Sequence, residues 1–85
     1  MTKPPEDAKP RELRRIFGAN VRRFRQEQRY SQREIAAIAG VSQKHIAKIE
    51  TTGASAGLDV VEDIARALGK TPAQMLTKPR ISRDE

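Results

Sequence analysis

Large apolar residues recur at helical spacing in the first third of the chain. Four of them are separated by four, four and three residues, which places them on one stripe of a 3.6-residue period. They are Leu13, Phe17, Val21 and Phe24, with Ile16 and Asn20 beside the stripe. We predict a first helix from Arg11 to about Gln28–Arg29, with this stripe facing the core. Gly18 interrupts the run, which leaves a later start near Ile16 or Phe17 as an alternative.

Two short helices are predicted next, each opened by a serine. Ser31-Gln32-Arg33-Glu34 has the S-x-x-E form of a capping box, and Gly40 suits the left-handed residue that closes a helix. Ser42 is the expected N-cap of a third helix that runs to Glu50. Its two sides differ in character. Ile46 and Ile49 fall on the inward side, and Lys44, Lys48 and Thr51 fall on the outward side.

The rest of the chain predicts a loop and two further helices. Thr51 to Gly57 is a loop by composition. A fourth helix follows over Leu58–Leu68, and Gly69 ends it. Its inward residues are predicted to be Leu58, Val61, Ile64, Ala65 and Leu68. Thr71-Pro72 opens a short fifth helix with Met75 and Leu76 inward, and Pro79 stops it. The predicted fold class is all-α, a compact five-helix bundle.

Composition divides the chain into three parts. Proline-rich residues 1–11 are expected to form a flexible N-terminal arm, residues 12–77 the folded domain, and residues 78–85 a polar C-terminal tail. With 85 residues and 36% hydrophobic content, the chain has room for one small core and no deep, water-excluded active site. We therefore expect no enzymatic activity and no catalytic residue.

Several kinds of partner are excluded by what the sequence contains. There is no cysteine and one histidine, so we expect no metal site, no cofactor and no thiol chemistry. No small-molecule ligand is evident. No apolar run approaches the roughly 20 residues that span a bilayer, and the N-terminus lacks the apolar segment of a signal peptide. The expected location is the cytoplasm.

Positive charge is concentrated in the first predicted helix. The net charge is +6 at pH 7, and residues 11–30 carry seven arginines against two glutamates. Such a balance favours a polyanionic partner, with nucleic acid ahead of an acidic membrane surface. Seven arginines exceed what helix propensity requires, so a phosphate-facing patch is favoured over an ordinary solvated face.

Residues 32–51 satisfy the constraints of a helix-turn-helix unit. Two short helices joined across Gly40-Val41-Ser42 must pack at a steep angle, which requires apolar residues at five positions, a small residue where the helices cross, and a glycine in the turn. Ala36 is the small residue and Gly40 the turn glycine. The apolar positions are filled by Ile35, Ala39, Val41, Ile46 and Ile49. All seven positions are met.

With these motifs, residues from about Phe17 to Leu76 resemble the helix-turn-helix domains of phage repressors and Cro proteins, the Xre type. The resemblance implies a lambda-repressor-like bundle that binds double-stranded operator DNA, usually as a homodimer. It places the third helix, residues 42–50, in the major groove. One reading helix contacts few base pairs, so a dimer on a two-fold site is expected. The fourth or fifth helix, through residues such as Leu58, Met75 and Leu76, is the expected dimer surface.

The resemblance also assigns roles to individual residues. Base reading falls to Gln43, Lys44, Ala47 and Lys48, where glutamine suits adenine, lysine guanine and alanine a thymine methyl. Gln32 would contact a phosphate and brace Gln43. The other phosphate or backbone candidates are Arg22, Arg23, Arg33, Ser42, His45 and Thr51. For His45, on the exposed side of the helix, a passive surface role is the alternative. Arg25 and Glu50 match a partly buried structural ion pair that links the first and third helices.

The loop after the third helix departs from the family pattern. Its glycine comes one position late, the proline that often precedes the fourth helix is missing, and no basic residue lies between Thr51 and Gly57. Phosphate contacts are therefore expected from Arg22, Arg23 and the N-terminal arm instead.

The leading hypothesis is a sequence-specific transcriptional regulator, encoded by a bacterium or phage and nucleoid-associated when bound. A phage-type repressor, a restriction-modification controller and an antitoxin-type autoregulator all fit its size. The alternative is a protein-interaction module that keeps the fold without specific DNA binding. The polar outward residues of the third helix and the basic first helix favour the DNA-binding hypothesis.

Overall fold

The computed structural model describes residues 11–79, which form five α-helices without a strand among them. Their bounds are α1 Glu12–Glu27, α2 Gln32–Ala39, α3 Gln43–Thr52, α4 Leu58–Leu68 and α5 Pro72–Met75. The predicted all-α five-helix fold is confirmed. Residues 1–10 of the predicted arm and 80–85 of the predicted tail lie outside the described residues. Within residues 11–79, no helix combines the length and the apolar character needed to cross a membrane.

Local capping chemistry sets most of the helix ends. Ser31 opens α2 and Thr71 opens α5, each with both hydrogen bonds of a capping box. Gly40 closes α2 in the left-handed conformation, as predicted. The loop prediction fails at its first two residues, because Thr51 and Thr52 continue α3. The left-handed residue that ends α3 is Gly53 (φ +67°), so α3 extends two residues beyond its predicted end at Glu50.

The first helix runs without interruption from Glu12, so the alternative start near Ile16 or Phe17 is wrong. Gly18 lies inside α1 and is buried against α3. Its cost in helix propensity is of the order of 1 kcal/mol. The packing of α1 on α3 accounts for a glycine at this position, since a larger residue would keep the two helices apart.

The hydrophobic core lies between the helices where α1 packs on α3 and where α2 packs on both α3 and α4, and α5 covers it from the side of α1 and α4. It comprises Phe17, Val21, Phe24, Ile35, Ala36, Ile46, Ile49, Val61, Ile64, Ala65, Leu68 and Met75. Two predicted core residues are exposed instead, Leu13 by 54% and Leu58 by 81%. Each lies in the first turn of its helix. Periodicity identifies the apolar face of a helix, but it does not show where the neighbouring helices stop covering that face.

Asn20 is a fully buried polar residue among these apolar side chains. Its amide nitrogen donates hydrogen bonds to the carbonyl oxygens of Met75 at 2.8 Å and Thr77 at 3.0 Å. Its side-chain oxygen accepts a bond from Arg23 at 3.2 Å. Carbonyl groups at the end of a helix have no partner within the helix, so Asn20 supplies one and fixes α5 against α1.

Candidate nucleic-acid interface

The two sides of α3 differ as the sequence predicts. Ile46 and Ile49 are fully buried in the core. The Ser42 hydroxyl accepts a hydrogen bond from the backbone N–H of His45 at 3.0 Å and so caps the helix. On the outward side, Gln43, Lys44 and Lys48 are exposed to solvent. The outward side of α3 thus presents one amide and two ammonium groups, while its opposite side is buried in the core.

An ion pair anchors the other end of α3. Nε of Arg25 donates to Oε2 of Glu50 and Nη2 donates to Oε1, both at 2.8 Å, while Nη1 donates to the Tyr30 carbonyl oxygen at 2.9 Å. The Glu50 side chain is 1% exposed and that of Arg25 12%. The hydrogen bonds to Glu50 raise the pKa of Arg25 above its ordinary value. A bidentate, buried pair of this kind fixes the angle between α1 and α3.

Gln32 contacts this ion pair rather than the reading residue that the resemblance paired it with. Its amide nitrogen donates to Oε1 of Glu50 at 3.1 Å. The predicted brace between Gln32 and Gln43 is absent from the hydrogen bonds of residues 11–79. The Glu50 carboxylate lies within reach of the first turn of α2 and is a stronger acceptor than an amide. Gln32 therefore links α2 to the Arg25–Glu50 pair. Its phosphate contact stays a prediction.

His45 is half-buried, which corrects its expected place on the exposed side. Its Nε2 lies 3.3 Å from the carbonyl oxygen of Ser55, so the ring joins α3 to the following loop. His45 still borders the outward face, because it lines a shallow groove with Ser42, Lys44 and Lys48. This groove is lined by cations and a hydroxyl, which suits a phosphate group.

The remaining outward positions of α3 are less available. Ala47 is half-buried. Thr51 is exposed, but its hydroxyl donates to the Ala47 carbonyl oxygen at 2.7 Å. A phosphate contact through this hydroxyl would have to replace that bond. Arg33 is exposed in the first turn of α2.

The adjacent arginines Arg22 and Arg23 lie on different sides of α1. Arg22 is exposed and shares its stripe with Gly18 and Arg25, the two residues that face α3. Arg23 points toward α5, with its guanidinium 4.3 Å from the centre of the Phe24 ring and 3.7 Å from Glu27. The groove that Arg23 lines is formed by residues of α5, by Lys70 of the α4–α5 connection and by residues 77–79 after α5, and by none of α3. The geometry thus favours Arg22 as a phosphate contact and disfavours Arg23.

The charged side chains on the outward face of α3, Lys44 and Lys48, are both positive. The one carboxylate of α3, Glu50, is buried and paired. Within residues 11–79 there is also no cluster of three histidine, aspartate or glutamate side chains that could hold a metal ion. Cations with no acid among them attract a polyanion.

Sequence analysis assigned no role to three residues that hold the helices in position. Gly18 permits the close α1–α3 contact, Asn20 fixes α5, and Gln28 donates to the Leu68 carbonyl oxygen at the end of α4 at 2.7 Å. Of these three residues, only Asn20 could have been identified from the sequence. This polar residue lies one turn from both Phe17 and Phe24, at the border of the apolar stripe of the first helix. The partners of Gly18 and Gln28 are distant in sequence, so no local pattern reveals them.

Comparison with known proteins places this geometry in a family. A hypothetical transcription factor of Neisseria meningitidis is 30% identical over 80 residues, covering 94% of this chain and 76% of that protein. The crystal structure of the hypothetical transcription factor NHTF from Neisseria has a TM-score of 0.76 at 31% identity, over 92% of this chain and 90% of that one. The clp gene regulator ClgR of Corynebacterium glutamicum has a TM-score of 0.71 at 28% identity, over 85% and 72%. The helix-turn-helix family HTH_3 matches residues 21–75. The chain belongs to this Xre-like helix-turn-helix family of DNA-binding transcription regulators.

Proposed function

We propose that this protein is a sequence-specific regulator that binds double-stranded DNA and reads a two-fold operator with α3 in the major groove. The observation that carries the proposal is the exposed face of α3. Gln43, Lys44 and Lys48 all point away from the core on a helix whose opposite side is fully buried. Side chains held in this way can meet base edges without reordering the helix.

Each side chain suits a particular base edge. Gln43 can form a bidentate contact with adenine N6 and N7, and the lysines favour guanine O6 and N7. Half-buried Ala47 can contact a thymine methyl. The Arg25–Glu50 pair and Gln32 lie behind this face and keep its direction fixed. The proposed role of that ion pair is therefore structural.

Phosphate contacts are proposed around the edge of α3. Arg22, Arg33, His45 and Ser42 border the reading face, with Gln32 and Thr51 as further candidates. These contacts set the orientation and affinity of the protein on DNA and carry little sequence information. No basic residue of the α3–α4 loop contributes, since residues 53–57 contain none.

The names of its relatives support regulation of transcription, since one is called a transcription factor and another a clp gene regulator. We propose that this chain acts in the same way in the cytoplasm, on nucleoid DNA. A phage-type repressor, a restriction-modification controller and an antitoxin-type autoregulator share this mechanism.

The proposed active form is a homodimer. One α3 contacts few base pairs, and two copies would read half-sites about 10 bp, or roughly 34 Å, apart. Exposed Leu58 of α4 and half-buried Leu76, which follows α5, are available for this contact. Met75 is fully buried, so its predicted part in the dimer surface is wrong. The Met75 side chain packs into the core beneath α5, and the hydrogen bonds of Asn20 hold that helix in place.

The test is selection of bound duplexes from a random DNA pool at near-physiological salt. An enriched two-fold motif supports the proposal. Gln43→Ala should then lose preference at one base pair of each half-site, whereas Gln26→Ala, which removes the same amide from an exposed position on α1, should keep the motif. Recovery of DNA without an enriched motif would mean that the protein binds DNA through charge alone, without sequence preference. Failure to recover DNA would favour the protein-interaction module.

A further inference from the structure

An apolar groove opens on the side of the molecule where α1 begins. It has a volume of about 100 Å³ and lies between the first turns of α1, the α3–α4 loop and the start of α4. Its lining includes Leu13, Phe17, Leu58, Val61 and Leu76. Leu58 is 81% exposed, so it projects from the rim of the groove instead of filling it. The surface therefore presents an aliphatic knob beside an aliphatic recess.

Side chains of opposite charge lie on the two sides of this groove. Arg14 lines the α1 wall, and its Nε is shielded from solvent without a hydrogen-bond partner. On the α4 side, Asp59 follows the lining residue Leu58 in the first turn of α4, and Glu62 is exposed one turn later; these two carboxylates lie beside the groove and do not line it. Within residues 11–79, neither Arg14 nor Asp59 nor Glu62 forms an ion pair. The charges on the two sides of the groove are complementary but do not pair with each other within the described residues.

We infer that this groove receives Leu58 of a second copy of the chain, and that Arg14 of each copy pairs with Asp59 of the other. The inference rests on the homodimer of the proposed function and specifies its interface. Leu58 and Asp59 are adjacent in sequence, so insertion of the leucine brings the carboxylate to the rim where Arg14 lies. Two-fold symmetry makes the exchange reciprocal, with two knobs, two recesses and two charge pairs.

The same surface could also pair with itself in a second two-fold arrangement, and electrostatics disfavours that one. Setting α1 against α1 would place Arg14 against Arg14 and Asp59 against Asp59. Like charges in contact oppose association, whereas the crossed arrangement sets α1 against α4 and pairs unlike charges. The apolar residues drive the contact, and the charges select its orientation and its partner.

Charge reversal at the two positions tests the inference, with sedimentation velocity of the full chain as the measurement. Arg14→Glu and Asp59→Arg each make both crossed contacts repulsive, so each variant alone should self-associate roughly tenfold more weakly than the wild type. The double variant should recover the wild-type dimer. A mixture of the two single variants should form a heterodimer, because both of its crossed contacts are attractive.

Matched controls separate these effects from loss of structure. Arg29→Glu reverses a charge roughly 20 Å away, near the other end of α1, and should leave self-association unchanged. Leu58→Ser should give a folded monomer, because its side chain is exposed. Circular dichroism verifies the helical content of each variant.

Three outcomes would overturn the inference: a Leu58→Ser variant that dimerises like the wild type, a double variant as weak as the single ones, or a wild-type chain that remains monomeric. The proposed function fails separately, through loss of the enriched operator motif. A chain that selects a two-fold motif but dimerises through another surface would keep the function and refute this interface.

Discussion

Gly18 of α1 lies against the backbone carbonyl group of Ile49 in α3, with no side chain between the two helices. This contact fixes how deeply the reading helix is seated on α1. It also brings the next two turns of α1 beside the end of α3, where Arg25 meets Glu50. A glycine and an ion pair, seven residues apart on α1, together set the position of the proposed DNA-reading face.

We predict that Gly18→Ala destabilises the domain. The new Cβ would overlap the Ile49 carbonyl oxygen and lie 3.1 Å from its carbonyl carbon, and backbone atoms cannot rotate away as a side chain can. The expected loss is about 1–3 kcal/mol in the free energy of unfolding, measured by urea denaturation. Gly57→Ala is the control, since its Cβ meets no atom within 4 Å and should shift stability by no more than about 1 kcal/mol. Equal effects of the two substitutions would contradict the proposed close packing.

Removing one partner of the buried ion pair should be costly. Arg25→Ala leaves the Glu50 carboxylate buried without its cation, and we expect a loss of about 3–5 kcal/mol in unfolding free energy. Arg66→Ala breaks an exposed pair with Asp63 and should cost less than about 1 kcal/mol. Because hydrogen bonding to Glu50 raises the pKa of Arg25, the guanidinium of the wild-type protein stays charged throughout the neutral pH range, and the pair that the substitution removes is present there. Similar melting temperatures for the two variants would show that the buried pair adds nothing.

Asn20→Ala should loosen α5 selectively. The substitution leaves the carbonyl groups of Met75 and Thr77 without their donor inside the protein. A loss of about 1–3 kcal/mol follows from unsatisfied buried groups. Hydrogen exchange should show faster exchange in α5 than in α2, because none of the hydrogen bonds of Asn20 within residues 11–79 reaches α2. Uniform acceleration in both helices would mean that Asn20 supports the whole core and has no specific role in docking α5.

Gln43→Ala should change specificity without changing stability. The side chain is exposed, so the melting temperature should stay at the wild-type value. Discrimination should fall by about 1–3 kcal/mol at a single base pair of each half-site. Binding to operators with each base substituted at that position measures the loss. An unchanged preference for all four bases would remove Gln43 from the reading set.

The adjacent arginines of α1 should behave differently toward DNA. Arg22→Ala should weaken binding to all sequences alike and lower the slope of log affinity against log salt by about 1, as expected for one lost phosphate contact. Arg23→Ala removes the same charge from the side that faces α5 and should leave the slope unchanged. Titrations of both variants over a range of salt concentrations test this. Equal salt slopes for the two variants would mean that both arginines contact phosphates or that neither does.

Much of the fold follows from local sequence signals. Ser31, Ser42 and Thr71 cap helices, and Gly40 closes α2, because the groups that satisfy a helix end lie within a few residues of it. The apolar period identified the buried face of each helix. The Arg25–Glu50 pair was expected from the family resemblance, and the structure shows the two residues in contact.

Contacts between distant residues were decided by the tertiary structure alone. The periodic pattern predicted Leu13 and Leu58 in the core, but the neighbouring helices end before they cover them. Asn20, Gln28 and Gly18 find their partners 31 to 57 residues away, so no short window of sequence contains both members of a contact. Gln32 donates a hydrogen bond to Glu50, a contact that the sequence did not predict. Arg22 and Arg23 are adjacent in sequence, but the turn of the helix places them on different sides of α1. The sequence by itself determined most of the helix bounds, because those depend on neighbours along the chain, and its resemblance to a family supplied the side chains expected to meet DNA. The packing of the five helices decided which of those side chains face the same way.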